Sequence, residues 1–499
     1  MRPSLAAFAA PAAPATAAAA IAAHRFGLGE PDLAMVGNDA KAWLRSQIGP
    51  ADAQRGDKLP GLTEALARQT AARKLDTPEA KAALRTQTQA DIRARLLTAA
   101  TSTRPFAERL ALFWCNHFTV SLGKASTQGL IGAFEREAIR PHIAGRFADL
   151  LAAAVTHPAM LRYLDNHVSA GPQSPLVQRL KRRSALAAAA PSSTTTATAA
   201  ITTTTAGDAA APPLPPLRLT GLNENLAREV LELHTLGVAG GGGAYGPWGG
   251  YTQADVTALA EVLTGWRGPR TENLPPPGFD NSAVFDAQWH QPGAKTVLGR
   301  SHAEGPQALR AVLDDLARHP STARFIATKL ARHLVADQPP PALVARLAKR
   351  FTETDGDLAA LYTTLIDAPE AWDKAPAKLK TPEEFVLSSA RVLRVADRLA
   401  QRAPDAGLGL LGQRPHYAGS PAGWPDTAAD WMGPEAVWQR VEWAVQVADR
   451  LGNSIDARAL ATTSLGPLLG ETTRFQVERA ADGAQALTLL LMSPEFQRR

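Results

Sequence analysis

The chain has 499 residues, 45% hydrophobic and 20% charged, with a net charge of +6 and one cysteine, Cys115. That length supplies core for two to four domains. The small net charge argues against a nucleic-acid partner, and the single cysteine excludes an intramolecular disulfide framework.

Alanine is abundant and long Val/Ile alternations are absent, which favours helices over sheets. Met1–Ala23 is alanine-rich, with one arginine and with Pro11 and Pro14 interrupting it. It lacks the basic start and leucine-like stretch of a secretory signal and reads as a tail leading into a helix, so the compartment stays unassigned. No later stretch has the length and hydrophobicity of a membrane span. Ala15–Gly29 predicts a short helix ended by Gly27 and Gly29, with His24 and Arg25 at the surface before the turn. Trp43–Ile48 and Leu62–Lys74 continue at helical spacing. Pro78–Thr98 is a polar helix of alternating charges, the pattern of an exposed or bridging element.

In Pro105–Phe118 the spacing puts Phe106, Leu110, Phe113 and His117 on one face, bordered by Arg109 and Asn116. A lone histidine on an apolar face is most often a satisfied core residue. Asn116 beside it shifts the balance, because two neighbouring polar groups near a core need partners. Cys115 points to another side, so it forms no thiolate–imidazole pair with His117. Thr127–Phe147 and Phe147–His157 read as further helices. Asp165, Asn166 and His167 fall where a helix ends before Gly171 and Pro172, as ordinary turn residues or as part of a site. Ser184–Pro216 is an Ala/Thr/Pro tract too poor in large apolar residues to order itself, and it reads as a disordered insertion. The basic run Arg179–Arg183 beside it reads as a solvated flank.

Gly221–Trp266 predicts helix, glycine loop, helix. Leu222, Leu226, Val230 and Leu233 make an apolar face, with Asn225, Glu229 and Glu232 along its edge. Glu229 falls almost inside the apolar sector, so it is expected to be buried and held by Arg109, Arg228 or His117. Glu224 and Arg228, four apart, are placed to pair. Gly237 stops the helix, and Thr252 with Asp255 caps the next. Gly240–Gly250 has neither a preceding strand nor a GK[ST] ending, so it is no phosphate loop. His290, on a loop between Trp289 and Pro292, is a functional candidate. Gly305–His319 and Thr322–Ala336 are helices, the second carrying Lys329, Arg332 and His333. Pro341–Glu353, Asp357–Ile366 and Glu383–Gln401 follow. The last part concentrates Trp424, Trp431, Trp438 and Trp443, for which core packing is the leading reading.

Several motifs resemble the bacterial domain of unknown function 1800 family. They are RFGLG at Arg25–Gly29, FWCNHF at Phe113–Phe118, YLDN at Tyr163–Asn166, NENLARE at Asn223–Glu229 and LELHTLGV at Leu231–Val238. YTQADV at Tyr251–Val256, LTGW at Leu263–Trp266, KTVLG at Lys295–Gly299 and GWPD at Gly423–Asp426 complete the series. Their order spans nearly the whole chain outside the two insertions. The resemblance implies a helical protein with no established reaction. It also implies a neighbouring gene whose product looks like an exported sulfatase. The glycine insertion departs from the family's spacing.

The expected fold is all-α, a multi-helix array with long loops, in parts 16–183, 184–216 (the disordered insertion), 217–377 and 378–499. The leading function is a scaffold or partner-binding protein beside the sulfatase-like neighbour, without nucleic acid or transmembrane segment. The alternative is an enzyme of the metal-dependent hydrolase kind, with His117, Glu229, Glu232 and His290 as catalytic candidates. Asn116, Asp165, Asn166, Asn223, Asn225 and Arg228 would then bind substrate, with a divalent metal as the candidate cofactor.

Overall fold

The helix starts are written into the sequence. Thr16, Asp39, Thr77, Asp357, Asp456 and Asp482 each accept a hydrogen bond from a backbone N–H in the first turn of the helix that follows. This satisfies donors that a helix leaves over. Proline opens the Pro78–Thr101, Pro105–His117, Pro320–Leu334 and Pro382–Val392 helices, where its missing N–H costs nothing. The computed structural model describes residues 15–189, 221–238, 250–269 and 284–499, apart from 374, 376, 403, 404 and 453. Among these the strands form two short antiparallel hairpins, Trp266–Arg267 with Val284–Phe285 and Lys295–Val297 with Arg300–His302. The rest of the regular structure is helical, so the fold is all-α. The second hairpin turns at Leu298 and Gly299, both at positive φ (48° and 74°), the pair of left-handed residues a type I′ turn requires.

Two apolar cores organise the helices. The larger runs from Ala19 to Ala371 and contains Phe106, Phe113, Trp114, Leu226, Val230, Leu259 and Leu263. The second joins Phe385, Trp443, Leu487, Leu490 and Phe496 to Leu28, Ile92, Leu96 and Leu112 from the first part of the chain. Pro78–Thr101 bridges, as its charges predict: Arg95 reaches Glu135 at 2.9 Å and Glu383 at 3.0 Å. Pro105–His117 serves both cores, with Phe106, Leu110 and Phe113 in the larger and Leu112 in the second. Its C-terminal end therefore lies at a seam. Seams between cores are where clefts form.

Three expectations need correction. His24 and Arg25 are buried rather than at the surface: His24 Nε2 donates to the Ser464 carbonyl at 2.7 Å and Arg25 Nη1 to the Ala371 carbonyl at 2.7 Å. Leu233 is half-exposed, while Leu231, His234 and Thr235 are buried. The cause is a π-helix over Val230–Thr235, whose wider turn rotates the face away from a regular 3.6-residue projection. Finally, the Ser184–Pro216 tract begins inside a helix, since Pro175–Ala189 runs through its first residues. The rest of that tract, and nearly all of Gly240–Gly250, lie outside the described residues. Of the tryptophans, Trp431 and Trp443 are buried, Trp424 is half-buried and Trp438 is 66% exposed.

Candidate functional site

At the seam His117 ends its helix fully buried. Its Nε2 lies 3.1 Å from the His234 carbonyl. A carbonyl only accepts, so Nε2 carries the proton and the Nδ1 lone pair accepts from Lys329 Nζ at 3.1 Å. Burial, with Lys329 and His234 adding to it, holds the His117 imidazole well below its ordinary pKa, so it is neutral. Burial also brings Lys329 down to about 8, although Asp426 opposes this. The preceding residue, Asn116, fastens a distant turn. Its Nδ2 donates to the Trp424 carbonyl at 2.9 Å and its Oδ1 accepts from Trp424 N at 2.8 Å. Both faces of the amide are spent on one residue of the GWPD turn, at Gly423–Asp426.

That turn delivers Asp426. His333, one helical turn beyond Lys329, holds Nδ1 3.0 Å from Asp426 Oδ2. Burial pushes the Asp426 carboxyl up, but His333 and the Lys378 ammonium at 3.2 Å from Oδ1 outweigh it and keep the group below the usual carboxylate range. Lys378 also donates to Asp337 Oδ1 at 2.6 Å. With an ionised Asp426 accepting at Nδ1, the free lone pair of His333 sits on Nε2, which is buried and has no hydrogen-bond partner. Burial lowers the His333 pKa more than Asp426 raises it. A neutral imidazole with an aspartate behind it and an open nitrogen in front is a general base in waiting. Glu384 Oε1 stands 3.8 Å from Nε2. Burial would protonate Glu384, but Arg499 (2.7 Å) and Arg109 outweigh it and hold it far down as a carboxylate.

Asn116, His117, Lys329, His333, Glu384 and Asp426 line a cleft of about 310 Å³, together with Phe113, Arg332, Thr381, Trp424 and Asp430. Of the candidates read from sequence, only Asn116 and His117 belong to it. Glu229 is half-buried; burial and Glu232 raise its pKa. None of its expected partners holds it: Arg109 goes to Glu384, His117 to Lys329, and Arg228 to Glu224 (3.4 Å) and Gln253 (3.0 Å). Glu232 accepts from the Tyr251 hydroxyl at 3.4 Å. His290 donates through Nδ1 to the Thr264 carbonyl at 2.8 Å, bracing the LTGW turn. Asn166 donates to the Leu263 and Trp266 carbonyls, each at 3.0 Å, and Asp165 pairs with Lys124 at 2.5 Å. Asn223 Oδ1 accepts from Asn225 N at 2.9 Å, and Asn225 is exposed at the helix start. Most motif residues are therefore fastenings. The FWCNHF helix does meet the LELHTLGV segment, at the His234 carbonyl rather than at a glutamate. Among the described residues no group of three or more His, Cys, Asp or Glu side chains is placed to hold a metal ion. Burial pushes the Cys115 thiol pKa far up, which keeps it protonated.

Lys329, His333, Asp426, Glu384 and Arg499 were not singled out as site residues from sequence. Lys329, Arg332 and His333 did carry a signal, three cationic or basic side chains at spacings of three and one along one helix edge. Arg109 and Glu384 meet across 275 residues, which no local pattern reveals. In comparisons with known proteins, a family model described as a protein of unknown function, DUF1800, matches residues 21–498. No curated protein and no solved structure matches the chain.

Proposed function

The chain belongs to the DUF1800 family of proteins of unknown function, and for this member we propose that the cleft beneath the GWPD turn is an enzyme's substrate site with His333 as general base. One observation carries the reading: His333 Nε2 is buried in the cleft without a partner while Nδ1 is held by Asp426 at 3.0 Å. An unpaired buried polar atom costs free energy, and it is tolerated where a substrate or water completes it. Nε2 would take the proton of a water or substrate hydroxyl as that oxygen attacks. Asp426 keeps the ring in the right tautomer and steadies the imidazolium that forms. Because His333 titrates below its ordinary value of 6.5, activity should persist into weakly acid solution and fall only below that pH.

The test is turnover of model esters, phosphoesters, sulfate esters and glycosides by the full chain, with His333→Asn and Asp426→Asn alongside. Loss of a general base should cut the rate by about 10²–10⁴-fold. Wild-type inertness on all four classes, or turnover indifferent to His333→Asn, would remove the reading.

A second reading keeps the scaffold role beside a sulfatase-like partner. It is favoured by Trp438 (66% exposed) and Val445 (38% exposed), seven residues apart on one face of Pro434–Leu451. Under it, Trp438→Ala abolishes association with that partner and His333→Asn changes nothing.

A further inference from the structure

The cleft has a second half that proton transfer at His333 does not require. Lys329 and Arg332 line it from the same helix. Lys329 Nζ donates to His117 Nδ1 at 3.1 Å and stands 5.5 Å over the Phe325 ring. Arg332 donates through Nε to the Asp337 carbonyl at 3.2 Å. Among the described residues neither cation forms an ion pair with a carboxylate.

The acids of the cleft are engaged elsewhere. Asp426 faces His333 and Lys378, Glu384 faces Arg109 and Arg499, Glu383 faces Arg95, and Asp430 accepts from Thr427 at 2.5 Å. Trp424 Nε1, another donor of the lining, is buried with no partner. His117 does not neutralise Lys329, because a neutral imidazole offers the ammonium a lone pair at Nδ1 but no negative charge. It can only aim the ammonium. Asp426 acts on Lys329 but only partly offsets its burial, and half-buried cations with too little counter-charge are costly unless a ligand supplies it. Lys329, Arg332 and Trp424 Nε1 are all donors.

We propose that Lys329, Arg332 and Trp424 Nε1 form an anion subsite, oriented by His117, that takes an oxyanion group of the substrate (phosphate, sulfate or carboxylate) beside His333. The inference rests on the substrate-site reading of the cleft. The subsite binds the free inorganic or simple organic anion on its own, since its donors need no other part of the ligand. An anion bound at Lys329 opposes the effect of burial, so binding near pH 8 takes up protons.

The experiment is isothermal titration of the full chain with phosphate, sulfate or acetate at constant ionic strength, in two buffers of different ionisation enthalpy. Saturable binding at one site per chain is expected for at least one of the three, and which one identifies the group. Lys329→Met and Arg332→Gln should each weaken it by tenfold or more, and His333→Asn should leave it within about twofold. Thermal melts of the variants without anion confirm folding. No saturable binding to the wild type, or binding unchanged in Lys329→Met, overturns the subsite. If anions bind through Lys329 while His333→Asn leaves turnover intact, the general-base reading falls and the subsite stands. If His333→Asn abolishes turnover while Lys329→Met leaves anion binding untouched, the reverse holds.

Discussion

Gly423 shows how closely the site is fitted. Its φ is +85°, and a Cβ there would stand 2.4 Å from the Asn116 carbonyl oxygen and 2.6 Å from Asn116 Oδ1. Both strain and collision oppose any side chain. Gly423→Ala should displace the turn that delivers Asp426, with turnover falling far more than the melting temperature. Steady-state rates beside thermal unfolding check this. Asn116→Leu leaves the Trp424 N–H and carbonyl unanswered, and at about 1–3 kcal/mol per stranded group it should lower urea stability measurably. Glu229 teaches the opposite lesson. Burial and Glu232 raise its pKa, so Glu229→Gln should be neutral or mildly stabilising at pH 7. Glu224 instead accepts from Thr257 Oγ1 and Gln253 Nε2, both at 2.7 Å. Glu224→Ala should therefore cost more than Glu229→Gln, roughly 1 kcal/mol. Equal urea midpoints for the two would refute the ordering, which is the reverse of what the regular helix projection predicts.

At the scale of the element, the π-helix Val230–Thr235 decides what faces His117. The Leu236 N–H reaches the Leu231 carbonyl, five residues back, at 2.8 Å. The wider turn swings Leu231 and His234 into the larger core and leaves Leu233 half-exposed. Leu231→Ala should cost about 2–5 kcal/mol as a large-to-small change in a core, and Leu233→Ala clearly less. Chemical denaturation of the pair reads the phase of this segment directly; a larger loss for Leu233→Ala would restore the regular projection. Such π-turns concentrate at functional sites, and here one aims a backbone carbonyl at the histidine that orients Lys329. Asp255 works similarly across elements. Its Oδ2 accepts from Thr252 N at 2.8 Å and its Oδ1 from Leu298 N at 2.7 Å, so one carboxylate caps a helix and anchors the KTVLG hairpin.

Across the whole molecule, buried histidines set the response to acid. Burial holds His24, His157, His234 and His416 near 3 against an ordinary 6.5. A histidine with a lowered folded pKa takes up its proton more readily when unfolded, so stability is lost as pH falls below 6.5 and goes on falling toward about 3. One unit below 6.5 each contributes a loss of about 1.4 kcal/mol, and the four together approach the whole stability of an ordinary domain. The carboxylates of Glu135 and Glu384, held below their ordinary values by buried arginines, add their loss below about pH 4.5. Urea midpoints should drop steeply between pH 6.5 and 5; a flat profile there would show that these rings gain access to water. The same acid sensitivity bounds the pH range in which the His333 profile can be measured.

The all-α architecture follows from what the sequence displays locally: apolar residues at helical spacing, capping side chains at helix starts, and proline at first turns. These act over a few residues, so a single chain suffices to read them. The pairing of Glu224 with Arg228, the stop at Gly237 and the Thr252–Asp255 cap belong to the same class. The candidate site was legible only at Asn116 and His117, because their helix carries polar groups beside an apolar face. Whether such a group is a fastening or a reactive centre depends on what stands opposite it. Opposite Asn166 is a carbonyl pair, opposite His290 is the LTGW turn, and opposite His333 is Asp426, ninety-three residues away. Tertiary structure alone decided those partners. His24, His157, His234 and His290 also keep a buried ring nitrogen without a partner, but of these histidines only His333 lines the cleft and has a carboxylate behind it. The π-turn was equally hidden, since a regular helix and a widened one share the same sequence pattern until the packing against His117 selects between them.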